Sequence, residues 1–138
     1  MGTIVVGVDG SETAWAACQE ASRLAGALGS RLHLVTAIEP SSTVVVGVGS
    51  DEVAVDSGSD AELMLKRLKT DLPDSLDVTG SVVTGKPAKA LVTEAERVEA
   101  DLIVVGSRHM QGVKRVLGSV ANDVSHHAPC SVYIAKTT

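Results

Sequence analysis

The chain has 138 residues, a length at which one domain buries roughly two thirds of the surface its unfolded form exposes. Its formal net charge of −5 argues against a nucleic-acid or polyanion-binding surface, which needs clustered Lys and Arg, but leaves room for one small anion bound locally. With no Phe, one Trp and one Tyr, the core is expected to be packed from Val, Leu, Ile and Ala, side chains that suit a sheet covered on both faces.

In chain order, residues 3–8 form a β-branched run that ends in the turn residues Asp9-Gly10-Ser11. Ser11 is a helix N-cap with Glu12 in the first turn. Ala14, Ala17, Cys18, Ala21, Leu24, Ala25 and Leu28 recur at spacings of three and four, one face of a helix, and Gly29 stands where a helix C-terminal glycine belongs. Residues 32–38 read as the second strand. The stretch 40–60 breaks the rhythm, rich in Ser, Gly and Val; a flexible lid, a binding loop and a short extra strand through Val44-Val45-Val46 all fit it. Residues 61–72 are helical in pattern and Pro73 ends them. Residues 78–84 form the third strand. Pro87 opens a helix with Leu91, Val92, Ala95 and Val98 inward. Residues 102–105 form the fourth strand, a glycine-containing basic loop runs to Leu117, a helix spans about 118–127, and Ser131 to Ala135 is the last strand. This alternation predicts a doubly wound α/β fold with a parallel sheet and helices on both faces. Without internal repeats or a linker, residues 1–138 read as one domain.

Cys18 and Cys130 make no disulfide framework and are expected as buried free thiols. The N-terminus runs into a strand without the regions of a signal peptide, and no apolar run approaches the ~20 residues that span a bilayer. A cytoplasmic protein without a membrane partner is the expectation.

In such a sheet, ligands bind beyond the carboxyl ends of the strands, where strand order reverses. The turn after the first strand, Val8-Asp9-Gly10-Ser11, and the loop after the fourth, from Gly106 to Ser119, must meet there. The loop has glycines for close backbone approach and the basic residues Arg108, Lys114 and Arg115. It ends on Gly118-Ser119 at a helix N-terminus, an anion site, where the Ser119 hydroxyl either caps the helix or bonds a phosphate oxygen. Asp9 accepts hydrogen bonds from a ribose or holds Mg²⁺ near phosphates, or else bonds its own backbone in an Asx turn. Other patterns fail. Residues 80–87 mimic a Walker A loop, but Pro87 stands where Ser or Thr would hold Mg²⁺. A response-regulator receiver needs an Asp ending the third strand, where Val83-Thr84-Gly85 stands. His126 and His127 point about 100° apart on a helix and, with Cys130, lack a supporting ligand cluster. No spacing implies a nucleophile, so catalysis is expected to be absent, or at most a very slow ATP hydrolysis.

Residues 4–11, 100–107, 117–120 and 127–132 resemble the universal stress protein family, and the likeness spans the chain apart from 40–60. The resemblance implies strand order 3-2-1-4-5, the adenine-nucleotide alpha-hydrolase-like arrangement, and a homodimer through the last strand, Ser131–Ala135. It implies a stress-related regulatory protein that binds ATP or a related adenine nucleotide (ADP, AMP or cAMP), with Mg²⁺ as an accompanying ion. By the same resemblance Asp9 contacts the nucleotide or its metal beside Gly7 and Val8, and Ala37 meets the adenine through its backbone. Val105, Gly106, Arg108, His109, Gly118, Ser119 and Val120 hold ribose and phosphates. The family's loop pattern is glycine, two residues, glycine, nine residues, glycine, then Ser or Thr. Here His109 replaces the second glycine and eight residues separate it from Gly118. A His in a left-handed backbone costs on the order of 1 kcal/mol, so weaker binding than in a full-motif member is expected. The competing reading is a nucleotide-independent dimeric interaction module, with 40–60 recognising a protein partner.

Overall fold

In a computed structural model, residues 2–38, 57–107 and 118–137 are described. Strands and helices alternate through them: β1 (Thr3–Gly7), α1 (Glu12–Leu28), β2 (Arg31–Ile38), α2 (Ser57–Thr70), β3 (Val78–Thr84), α3 (Pro87–Arg97), β4 (Leu102–Gly106), α4 (Ser119–His127) and β5 (Ser131–Ala135). Each strand pairs in parallel with its neighbours, in the order β3-β2-β1-β4-β5. That is the order implied by the family resemblance. The chain winds outward from β1 to β3, crosses back over β1 and continues to β5, so the order reverses between β1 and β4.

Side chains alternate across a strand, and the two faces of the sheet build two aliphatic layers. Ile4, Val6, Leu32, Leu34 and Val104 pack under α1 and α2, while Val5, Val35, Ile103 and Val105 pack under α3 and α4. Ile4, Leu32, Leu34 and Ile103 are fully buried, and each contributes about 1.5–3 kcal/mol relative to exposure. α1 buries Ala17, Cys18, Ala21 and Ala25, a face small enough to bring its backbone close to the sheet. Its ends are closed as the sequence predicts. Ser11 Oγ accepts from the Ala14 N–H at 3.1 Å, and Gly29 takes the left-handed conformation, φ 67°.

Some boundaries differ from the sequence reading. α2 begins at Ser57 rather than residue 61, so 57–60 are its first turn and not the end of a loop. That turn is polar, and the apolar period becomes visible only at Ala61. The helix stops at Thr70 instead of Leu72, because Asp71 and Leu72 bond the carbonyls of Leu68 and Lys69, three residues back, a tightened last turn. Val8 lies beyond β1 yet still donates to the Val35 carbonyl at 2.9 Å. Val44-Val45-Val46 and residues 40–56 of the expected loop lie outside the described residues. Cys18 is buried as expected, its thiol pushed up to about 12 by desolvation, whereas Cys130 is only half-buried. Both thiols are free.

Candidate functional site

The strand-order reversal opens a cavity of about 830 Å³ at the carboxyl ends of β1 and β4. A β1 carboxyl end flanked by two outward-running crossovers cannot be covered by either of them, which is why the space stays open there. Gly7, Val8, Asp9, Ala37, Val105, Gly106, Gly118, Ser119 and Val120 all line it, so the structure brings together every sequence-nominated residue that it describes. Arg108 and His109, with the rest of residues 108–117, lie outside the described residues.

The lining combines two kinds of surface. β2 and α3 contribute an apolar wall of Val35, Ala37, Pro87 and Leu91. The β1–α1 turn contributes Asp9, Ser11 and Thr13, and the start of α4 contributes Gly118 and Ser119. Gly118 is the N-cap of α4 and offers no side-chain cap. Its own N–H reaches the Ser107 carbonyl at 3.4 Å, and the helical ladder starts with Asn122 N–H on the Gly118 carbonyl at 2.9 Å. The amides of Ser119, Val120 and Ala121 therefore precede the ladder at the positive end of the helix dipole, an arrangement that binds anions. Ser119 stands at the first helical position and is exposed, so of its two sequence readings the capping role falls to Gly118.

Asp9 shows both faces of its sequence reading. Its Oδ1 accepts the Ser11 N–H at 2.9 Å, which is the Asx turn. The same residue is exposed and lines the cavity, and a carboxylate has further acceptor sites beyond that one bond. At two glycines a side chain would crowd its neighbour. A Cβ at Gly7 would sit 3.2 Å from Leu91 Cδ1, and one at Gly106 would sit 3.2 Å from Thr137 Cγ2 and 3.3 Å from Thr137 Oγ1. Thr137 Oγ1 is itself buried without a hydrogen-bond partner.

Sequence reasoning placed Ser11 in the turn that meets the site but missed Thr13 as a lining residue, and also the wall residues Val35, Pro87 and Leu91. The β2 face could have been found, since Val35 shares the side of Ala37 by period-two alternation. Pro87 and Leu91 are readable locally as helix start and inward face, but nothing local assigns them to the cavity; α3 meets β1 and β2 only through the crossover. Among the described residues no three His, Cys, Asp or Glu side chains cluster as metal ligands, and no helix is long and apolar enough to cross a membrane.

Fold and cavity together define a doubly wound α/β protein with an open cavity at its topological switch point. Comparison with known proteins narrows this class. The model of the universal stress protein family matches residues 1–136. The universal stress protein Rv1636 of Mycobacterium tuberculosis is 30% identical over 142 aligned positions, covering 99% of this chain and 97% of its own length. A universal stress protein of Thermus aquaticus is 32% identical over 141 positions, with 97% and 98% covered. A crystal structure of a universal stress protein in complex with cAMP matches with a TM-score of 0.74 at 30% identity, covering 99% of this chain and 98% of that one. The chain belongs to the universal stress protein family.

Proposed function

We propose that the chain is a regulatory protein that binds ATP or a related adenine nucleotide (ADP, AMP or cAMP) in the cavity between β1 and β4. The observation that carries this reading is the pairing of an apolar wall with an uncapped helix N-terminus across one cavity. A base stacks into the first, and phosphate oxygens accept from the amides of the second. Its volume of about 830 Å³ lies within the range of small-molecule and cofactor sites. The 30% identical relative solved with cAMP supports the same ligand class.

In this reading Val35, Ala37, Pro87 and Leu91 hold the base, and Ala37 contributes its backbone to the adenine edge. Gly7, Val8, Val105 and Gly106 let the ribose approach the strand ends. Gly118, Ser119 and Val120 take the phosphates, with Arg108 and His109 of the β4–α4 loop alongside. Asp9 accepts from the ribose or holds Mg²⁺ through the oxygen that the turn leaves open. In this reading the site signals by its occupancy rather than by turnover. β5 is an edge of the sheet, with Ile134 38% exposed, and this supports a homodimer joined through Ser131–Ala135. The proposed setting is the cytoplasm.

Calorimetric titration of nucleotide-stripped protein with ATP, ADP, AMP and cAMP, with and without Mg²⁺, tests the reading. Micromolar binding, about −8 kcal/mol, is expected for at least one of them, weakened about tenfold or more by Asp9→Ala or Ser119→Ala. Absence of heat with all four ligands would sink it and favour the nucleotide-independent interaction module.

A further inference from the structure

Below the apolar wall, a buried polar cluster interrupts the aliphatic layer under α3. His33 on β2 and Glu94 on α3 are each 4% exposed. His33 Nε2 lies 2.7 Å from Glu94 Oε2, and Nδ1 lies 2.6 Å from Oγ1 of Thr79, the residue opposite His33 in the β2–β3 register. Ser81 Oγ stands 3.2 Å from the same Nε2. From the solvent side, Arg97 donates through Nε to Glu94 Oε1 at 3.0 Å and through Nη2 to Oε2. The Arg97 guanidinium holds the Glu94 carboxyl down at about 2 against the opposing push of burial, with smaller help from His33 and Ser81. Glu94 is therefore an ionised acceptor, and His33 Nε2 carries the hydrogen between them.

Stability alone does not explain this cluster, because a well-packed apolar group of similar volume often serves as well as a buried charged pair. Its position does. The elements it joins, β2 and α3, are the two that form the apolar wall of the cavity. Val35 and Ala37 follow His33 at every second residue of β2, on the same strand face. Leu91 and Pro87 precede Glu94 by one and two turns of α3. Apolar contacts slide past one another, whereas a hydrogen bond is directional and short. Clearance here is also small, since Leu91 Cδ1 lies only 3.2 Å from the position a Gly7 Cβ would take.

We infer that the His33–Glu94 hydrogen bond sets the position of the first two turns of α3 against β2, and with it the slot between Ala37 and Leu91 that receives the base. None of His33, Thr79, Ser81 and Glu94 lines the cavity, so His33 is a positioning residue and not a ligand contact. The ligand half of this inference rests on the nucleotide reading; the structural half does not.

The test compares the full chain with His33→Leu and His33→Gln. A Gln amide nitrogen reaches the place of Nε2 and donates to Glu94; Leu donates nothing. In nucleotide-free protein, amide hydrogen exchange over residues 90–95 is expected to quicken about tenfold in His33→Leu and to stay within about twofold of wild type in His33→Gln. Titration with AMP is expected to show about tenfold weaker binding in His33→Leu and recovery in His33→Gln, with pyrophosphate affinity unchanged throughout. Equal exchange in all three proteins overturns the inference. Parallel loss of AMP and pyrophosphate binding overturns it as well, because a general loosening moves both alike. A wild type that binds neither probe removes the nucleotide reading and the slot role with it, while exchange still decides whether the bond positions α3. Should His33→Leu fail to fold, His33→Asn, whose amide reaches Thr79 but not Glu94, takes its place.

Discussion

At the scale of single residues, Gly106 shows how a missing side chain makes a site. Strand propensity argues against glycine at the end of β4. The structure gives the reason for it: a Cβ would press on Thr137 at 3.2 Å and approach Thr13 Cγ2 at 3.8 Å. Thr13, in the first turn of α1, also lines the cavity. A Gly106→Val chain must displace one of the two threonines, with a cost of about 1–3 kcal/mol for an overpacked position. Thermal melting of that variant should therefore show a folded protein with a lowered midpoint. Its titration with the tightest-binding nucleotide should show at least about tenfold weaker affinity. Unchanged affinity would mean that the end of β4 does not border the ligand. The glycine itself was legible as part of the loop pattern. Thr137, 31 positions along the chain, was not, because nothing in its neighbourhood in sequence refers to β4.

Among the elements, α3 carries the sharpest contrast between local and long-range signals. Pro87 at its start and the apolar spacing of Leu91 and Ala95 were readable locally. The buried Glu94 was not: its burial depends on His33, 61 positions earlier, and on Arg97 one turn later. A carboxyl held at about 2 instead of the ordinary 4.5 adds stability that is fully present above about pH 4.5. That stability is lost as pH falls from there towards about 2. Replacing Glu94 by Gln should cost about 1–3 kcal/mol near neutral pH, mostly through the buried partners, because the Arg97 side chain is 62% exposed and screened. Urea unfolding at a series of pH values should show wild type losing more stability than the variant between about pH 4.5 and 2. Parallel curves for the two proteins would show that the carboxylate contributes nothing to the acid limb.

At the scale of the whole molecule, the parallel order β3-β2-β1-β4-β5 of the described residues leaves two edges, and unpaired edges are places where further chains add. The edge at β5 is short and mixed in burial, with Ile134 outward and Ala135 inward. Tyr133 is tied down by its hydroxyl, which donates to Glu20 Oε2 of α1 at 2.6 Å, and this holds the strand flat against the helix layer. Sedimentation of the purified chain is expected to give twice the chain mass. An Ile134→Asp variant is expected to move toward the monomer without loss of helical or strand signal, since that side chain faces outward. A monomeric wild type would remove the proposed β5 pairing.

The amino-acid order by itself determined what depends on neighbours a few positions apart. Period-two and period-3.6 apolar repeats gave the alternation of strands and helices; Ser11 and Gly29 capped α1; and the motifs at residues 4–11, 100–107, 117–120 and 127–132 announced the family and eight of the residues that line the cavity, with Ala37 of the second strand added by the resemblance. Tertiary structure decided what depends on groups brought together from afar. It set the polar first turn of α2, the apolar wall shared by β2 and α3, the crowding of Thr137 on Gly106 and the pairing of His33 with Glu94. Local sequence encodes propensity and periodicity, but burial and hydrogen-bond partnership belong to space, and the crossover connections of a parallel sheet place partners dozens of residues apart.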